Sequence, residues 1–147
     1  MENDAAVQLA AISDARSSLA DRLVTPVWYH PALGLALAAD VVAISLGNTG
    51  VKLAGGVLFV LAALWLANTY RQQTGILVTG PGTGRARRWA FAMGALIGAV
   101  LLTAWATGEY AEARWPIPVL AVIAFAGIVV LGRRYDAALR AQLRSAS

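Results

Sequence analysis

One carboxylate interrupts an otherwise apolar run. Asp40 lies in the stretch GLALAADVVAISLG, residues 34–47, and it is the only charged residue between Arg22 and Lys52. A carboxylate in such surroundings can relay protons or bind a cation, and burying it ionised in lipid costs about 2.5–3.5 kcal/mol. Without a basic partner it takes up a proton and can then pack as a neutral hydrogen-bonding group. Both roles are open, and we favour the packing role.

Two polar side chains of another apolar stretch are expected at the depth of Asp40. Counting about 1.5 Å per helical residue brings Thr103 and Trp105 level with it. The threonine hydroxyl can accept or donate a hydrogen bond, and the indole can donate one. No basic residue shares that depth. We therefore predict an intramembrane polar site of Asp40, Thr103 and Trp105, with a protonated carboxyl bonded between helices.

Few other residues could carry chemistry. The sequence has no cysteine and a single histidine, His30, so a haem, zinc or copper site lacks ligands. We expect His30 to be an anchor at the membrane interface. Glu109 and Glu112 fall in a short loop, where they could coordinate a cation loosely, but we expect them to be solvated. No serine has the base and orienting partner that nucleophilic catalysis requires. The sequence therefore predicts no metal, no cofactor and no enzymatic activity.

A glycine-rich loop, RQQTGILVTGPGTGRARR, occupies residues 71–88. Gly75 and Gly80 have the spacing of the two glycines of a phosphate-binding loop, but Pro81 stands where that motif has lysine. We interpret the loop as a turn followed by a basic lipid anchor. Its arginines could also dock an acidic partner.

Composition and hydropathy indicate that the chain is embedded in a membrane. Of its 147 residues 59% are hydrophobic and 14% charged, against about 25% charged in soluble domains. A helical span needs about 20 apolar residues, and helices satisfy every backbone polar group in lipid. We predict an all-α integral membrane four-helix bundle over residues 26–132. Its spans are residues 31–46, 53–70, 89–108 and 115–132.

The positions of the basic residues orient these spans. Of the 12 Lys and Arg residues, only Lys52 and Arg114 fall on one side of the membrane. This bias places both termini in the cytoplasm of a cell whose inner (plasma) membrane holds the protein. It also explains the net charge without nucleic acid, since the cations meet lipid head groups. The predicted cytoplasmic patch, which would bind lipid or a partner, comprises Arg71, Arg85, Arg87, Arg88, Arg133 and Arg134.

Two cytoplasmic segments flank the predicted spans. Residues 1–25 are predicted to contain an amphipathic helix capped by Asp4, which lies on the bilayer or packs against a partner protein. Residues 133–147 are predicted to continue the last helix as a basic tail, with Asp136 paired to Arg140 four residues later. The apolar face of the first segment includes Leu9, Ile12, Leu19 and Leu23.

Small residues at helical spacing indicate close packing between spans. Gly34 and Ala38 form one such pair, and Gly94 and Gly98 form another. We expect both pairs to pack within the chain. A homo-oligomer built on one of them is the alternative.

Two resemblances follow from this layout. Four short spans with one carboxylate in the first resemble the small multidrug resistance exporters, although those use glutamate and their loop charges are balanced. The stretches SLADRLVTPVWYHPALG and TGILVTGPGTGRARRW are more similar to uncharacterised four-span membrane proteins of actinobacterial type. The second resemblance implies a membrane protein that works with a soluble regulator or a larger membrane complex.

The sequence thus favours a non-enzymatic membrane protein that acts through partners. It would be an accessory or scaffold subunit, or the membrane anchor of a cytoplasmic protein. The alternative is a small proton- or cation-coupled transporter that uses Asp40. An enzyme acting on lipid head groups through the arginine-rich loop is a third option, for which no nucleophile or base can be identified.

Overall fold

Four long α-helices contain most of the residues that the structure describes. The structure, a computed structural model, describes residues 7–12, 25–74, 85–111 and 114–145. The helices are α1 (Tyr29–Leu46), α2 (Thr49–Thr74), α3 (Arg85–Tyr110) and α4 (Pro116–Ser145). These described ranges contain no strand, so the prediction of an all-α chain is confirmed.

Each of the four helices is long and apolar enough to cross a membrane. The qualifying segments are Tyr29–Leu46, Thr49–Gln72, Ala86–Tyr110 and Pro116–Gln142. They coincide with the four predicted spans, and most are longer because a helix need not end where its apolar stretch ends. The fourth helix runs without a break into residues 133–145, which contain no proline or glycine to stop it.

Two local features set the start of the first two helices. Pro31 is tolerated in α1 because it lies in the first turn, where its missing N–H would have no helical partner. The chain therefore begins α1 at Tyr29, two residues before the predicted start. Asn48 caps α2, since its side-chain oxygen accepts a hydrogen bond from the backbone N–H of Val51 at 3.0 Å.

The first helix is the centre of the bundle. It packs against each of the other three helices, and α3 also packs against α4. The buried core joins three helices only: Leu37 and Val41 from α1, Val100 and Ala104 from α3, and Ala124 and Ile128 from α4. Helix α2 contributes no fully buried residue to this cluster, although its partly buried Phe59 packs against it, and α2 is attached to the bundle mainly through α1. The four-helix bundle is thus a three-helix core with a peripheral fourth helix.

The two ends of the bundle differ in charge. We call the end that carries Arg71, Arg87, Arg88, Arg133, Arg134 and Arg140 the basic end. We call the end with the α1–α2 and α3–α4 connections the hairpin end. Residues 7–12 are helical and exposed, including Leu9 and Ile12. Leu19 and Leu23 of the predicted amphipathic face lie outside the described residues, as do Gly75, Gly80 and Pro81.

Candidate functional site

A histidine–aspartate pair joins the first and last helices at the basic end. Nε2 of His30 lies 2.7 Å from Oδ2 of Asp136. The two side chains are only 9% and 16% exposed, so the pair is shielded from its surroundings. The first turn of α1 supplies the imidazole, and the extension of α4 beyond the apolar stretch supplies the carboxylate. The pair therefore exists only because α4 remains helical past Gly132.

Gly132 makes room for the imidazole. A Cβ atom at this position would overlap the His30 ring at Nδ1, Cε1 and Cγ. The absence of a side chain lets α4 approach the ring closely, and one helical turn later Asp136 reaches Nε2. Gly34 likewise allows a close approach of α1 and α4 deeper in this interface, where a Cβ would lie 3.0 Å from the backbone oxygen of Phe125.

The surroundings of His30 determine where its proton resides. Nδ1 is buried and has no hydrogen-bond partner in the described part of the chain. A proton on Nδ1 would be a buried, unused donor, whereas a proton on Nε2 is donated to the Asp136 carboxylate. Of the two tautomers of an uncharged imidazole, the arrangement therefore favours the one with its proton on Nε2, and Asp136 holds the ring in this orientation.

Three tyrosines surround the histidine–aspartate pair. The ring of Tyr29 contacts those of His30 and Tyr70, with centroids 5.2 Å and 5.4 Å apart. The Tyr70 hydroxyl forms a hydrogen bond with Thr25. Tyr29, Tyr70 and Tyr135 all interact electrostatically with Asp136. One carboxylate is thus the common neighbour of an imidazole and three phenols.

These residues line a cavity of about 350 Å³ at the basic end. All four helices contribute to its wall, because α2 stands away from α3 and α4 and leaves a space between them. The polar part of the wall consists of Thr25, the three tyrosines, His30, Asp136 and Arg71. The apolar part consists of Leu33, Ala67, Ala90, Met93 and Leu139. The volume lies within the range of small-molecule sites, about 300–1,000 Å³.

Sequence reasoning missed this site. It treated His30 as an interfacial anchor and paired Asp136 with Arg140, but the carboxylate of Asp136 is bonded to His30. The long-range contact prevails because it is buried, while an i, i+4 pair on an exposed face contributes only a few tenths of a kcal/mol. The spacing of Gly132 and Asp136, one helical turn apart, was the available signal.

Asp40 lies elsewhere, in the half of the bundle nearer the hairpin end. It is 4% exposed, and its Oδ1 atom is buried without a hydrogen-bond partner among the described residues. The carboxyl faces α2 at Gly55, where a Cβ would stand 2.9 Å from Oδ1. Asp40 is therefore a buried polar group at the α1–α2 contact, and it does not line the cavity at the basic end.

The structure does not bring Thr103 and Trp105 to Asp40, so this part of the prediction is wrong. The Thr103 hydroxyl donates to the Ala99 carbonyl of its own helix at 2.8 Å and is exposed. Trp105 is also exposed and packs its ring against Tyr110. Depth along the membrane was estimated from residue counts, but the orientation of α3 turns Val100 and Ala104 inward instead. Near this level, Ser45 donates a hydrogen bond to the Ala104 carbonyl at 3.2 Å.

The predicted basic patch is spread over the basic end. Arg71 is exposed and lines the cavity, and Arg133 and Arg134 are exposed on α4. Arg87 lies over the Phe91 ring and Arg88 over the Trp89 ring, at 5.3 Å and 5.8 Å from the centroids. The side chain of Arg85 lies outside the described part of the structure. The arginines are thus available to lipid or to a partner, and no described contact converges them on one point.

The two predicted small-residue pairs have different surroundings. Gly34 lies against Phe125 as described above, and Ala38 is half-buried on the same helix. Gly94 and Gly98 do not pack within the described chain: a Cβ at either would meet no atom within 4 Å. Because Val100 and Ala104 turn the opposite side of α3 to the core, this glycine pair faces outward.

An ion pair at the hairpin end was also not predicted. Lys52 at the start of α2 contacts Glu109 near the end of α3. This ion pair ties the peripheral helix α2 to α3. Both side chains keep some exposure, and the Glu109 side chain is 44% exposed.

Comparisons with known proteins leave the site to be interpreted from its own geometry. No family model matches the chain, and neither a curated protein nor a solved structure matches it. Within the described ranges, no group of three or more His, Asp or Glu side chains is placed to hold a metal ion. The four helices have the length and apolar composition that are typical of membrane-spanning helices.

Proposed function

We propose that this protein is a non-enzymatic integral membrane protein that acts through partners, as an accessory or scaffold subunit or a membrane anchor. The observation that carries the proposal is the outward glycine pair on α3, Gly94 and Gly98, with open space in front of both. In lipid, helices associate where small residues let their backbones approach closely. If this face of α3 contacted only lipid chains, glycine would not stabilise it more than a larger apolar residue would. The surface therefore fits a helix of a second copy or of another membrane protein.

The peripheral position of α2 supports the same proposal. Only 6% of the apolar 18-residue stretch of α2 is buried inside the chain. Leu66 is the one buried hydrophobic residue in the described part of this helix. Its exposed face carries large side chains, namely Leu53, Val57, Leu58, Leu61, Leu64 and Trp65. A partner that packs on α3 or α2 would complete a bundle that the chain by itself leaves asymmetric.

Cross-linking and purification in native-like lipid test the proposal. Gly94→Leu and Gly98→Leu keep the fold, because open space receives the new side chains, but they block close helix approach. We expect these variants to lose a co-purifying subunit or the homo-oligomer. Ala126→Leu is the matched control, since Ala126 is also exposed but lies on α4, outside the proposed surface. Purification of every variant and the wild type as the same lone monomer would overturn the proposal.

We further propose the inner (plasma) membrane as the location, with the basic end and both termini in the cytoplasm. The support is the concentration of arginine at that end and the positive-inside rule. The chain has no cysteine, so single introduced cysteines report topology cleanly. Ala111→Cys, at an exposed position of the α3–α4 connection, should react with a membrane-impermeant maleimide added outside intact cells, and Arg133→Cys should react only after lysis. The opposite result would reverse the topology.

A transporter that uses Asp40 is the second candidate. The observation in its favour is the buried Oδ1 atom without a partner, because an ionisable group within apolar spans is a functional candidate by default. Proton or cation flux into liposomes by the wild type, abolished by Asp40→Asn, would support it. Equal flux through both proteins, or none through either, removes this candidate.

A further inference from the structure

We propose that the cavity at the basic end is a binding site for a neutral, lipid-soluble ligand whose ring carries carbonyl oxygens, a molecule of the quinone class. This inference is independent of the partner proposed above, because the cavity lies between the helices of one chain and does not involve the glycine pair of α3. It rests on the shape, charge and hydrogen-bonding groups of the cavity wall.

The position of the cavity suits a ligand that comes from the bilayer. It lies where the apolar part of the spans meets the basic end, and its deeper wall is formed by apolar side chains such as Leu33 and Met93. Arg71 and the hydroxyl groups line the part of the wall nearer the basic end. A ligand with an apolar body and a polar ring fits this gradient, because each part meets a surface of its own polarity.

The charges around the cavity disfavour an ionised ligand. The wall carries charges of both signs, because Asp136 would repel an anion that Arg71 attracts, and Arg71 would repel a cation that Asp136 attracts. Neither an anionic nor a cationic head group therefore meets a wall of purely opposite charge. Removing either ion from water into a mostly apolar space is costly unless a dedicated partner compensates it. Asp136 already accepts a hydrogen bond from His30, so its charge is partly compensated. A neutral ligand avoids both the charge repulsion and the cost of removing an ion from water.

The hydrogen-bonding groups call for acceptor atoms on the ligand. The wall offers phenol hydroxyls, including those of Tyr29 and Tyr135, and the guanidinium of Arg71, which can only donate. Carbonyl oxygens are their natural complement. The rings of Tyr29, Tyr70 and Tyr135 and the imidazole of His30 provide aromatic surfaces, against which a flat ring stacks or packs edge to face. Acceptors on a planar apolar ring describe a quinone.

The His30–Asp136 pair would shape the site rather than supply chemistry to it. It joins α1 to α4 on one side of the cavity and keeps the imidazole fixed beside Tyr29. The ligand would thus meet a preformed wall on the α1–α4 side, and α2 would close the site from the other side.

Binding of a short-tailed benzoquinone to the purified protein in lipid nanodiscs tests the proposal. The readout is saturable quenching of tryptophan fluorescence, since Trp28 and Trp89 flank the basic end. Ala67→Leu should fill the cavity and weaken binding at least about tenfold. Ala54→Leu, which adds the same side chain to the exposed surface of α2, should bind like the wild type. Tyr135→Phe, which removes one hydroxyl and no volume, should weaken binding about 2- to 10-fold.

Competing amphiphiles separate this class from others. Phosphatidic acid supplies an anionic head, a dodecyltrimethylammonium ion supplies a cationic one, and decylbenzene supplies a ring without oxygen atoms. We expect none of them to displace the quinone at equal concentration. Tighter binding of any of these compounds, or equal quenching in the wild type and Ala67→Leu, overturns the proposal. If Ala67→Leu fails to fold, the proposal is overturned when Tyr135→Phe and Arg71→Gln both bind the quinone with the wild-type affinity.

Discussion

His30 and Asp136 are 106 residues apart in the chain, and their side chains meet at 2.7 Å between Nε2 and Oδ2. The contact closes the basic end of the bundle, where the first turn of α1 lies against the extension of α4. It also orients the imidazole toward the tyrosines that line the cavity. One hydrogen bond therefore contributes both to helix packing and to the geometry of the candidate site.

Substitutions of this pair should be strongly coupled. We expect Asp136→Ala to lower the free energy of unfolding by about 1–3 kcal/mol, because it leaves the buried His30 ring without its partner. The double variant with His30→Ala should cost clearly less than the sum of the two single variants. Thermal unfolding in detergent, followed by circular dichroism, measures all three. Arg140→Ala is the control and should change little. Strict additivity would contradict the role of the pair.

Adding one methyl group at Gly132 should separate α1 from α4. Gly132→Ala places a Cβ against the His30 ring, and overpacking of this kind costs about 1–3 kcal/mol. The melting temperature should fall accordingly. Gly56→Ala adds the same atoms in open space and should leave the melting temperature unchanged or raise it, since alanine is the better helix former. Equal melting temperatures for the two variants would show that the close approach is not needed.

The neighbouring glycines of α2 provide a second matched comparison, this time at Asp40. A Cβ on Gly55 would lie 2.9 Å from both Oδ1 of Asp40 and Cβ of Ala43, whereas one on Gly56 meets nothing within 4 Å. We expect Gly55→Ala to be less stable than Gly56→Ala by about 1 kcal/mol or more. Shortening Asp40 to alanine should recover part of this loss. The absence of any recovery would mean that Asp40 does not set the α1–α2 distance.

The Lys52–Glu109 ion pair should contribute little to stability. Because the Glu109 side chain is 44% exposed, we expect less than about 1 kcal/mol, decreasing further as salt is added. Lys52→Glu alone should be slightly destabilising, and the exchange Lys52→Glu with Glu109→Lys should restore the wild-type melting temperature. A loss of several kcal/mol in the single variant would indicate that this pair, rather than packing against α1, holds α2 in place.

Local sequence was sufficient to predict the helices. Apolar length, the proline positions and the aromatic residues at the ends of each stretch reflect the thickness and chemistry of a bilayer, so they place the spans within about four residues. The exception is the end of the fourth span, which was expected at residue 132 and extends to Gln142. The exact ends differ because capping by Asn48 and the continuation of α4 beyond Gly132 depend on individual residues at the boundary. Hydropathy predicts neither the cap at Asn48 nor the continuation of α4.

Packing was not predictable in the same way. Residue counting placed Thr103 and Trp105 at the depth of Asp40, but depth does not fix which way a helix is rotated about its axis. The rotation of α3 buries Val100 and Ala104 and leaves Thr103, Trp105 and the glycine pair outside. The spacing of small residues likewise indicates which helix faces permit a close approach, but it does not predict which helix packs there.

The sequence by itself determined that this is an all-helical membrane protein with four spans, because the bilayer imposes length, polarity and backbone pairing on each span separately. Only the tertiary structure decided that α1 is central and α2 peripheral, and that Asp40 faces Gly55. It also decided that His30, Asp136 and three tyrosines surround one cavity. The physical reason is that such contacts join residues distant in the chain. Their formation depends on helix rotation and on the absence of side chains at Gly132 and Gly55.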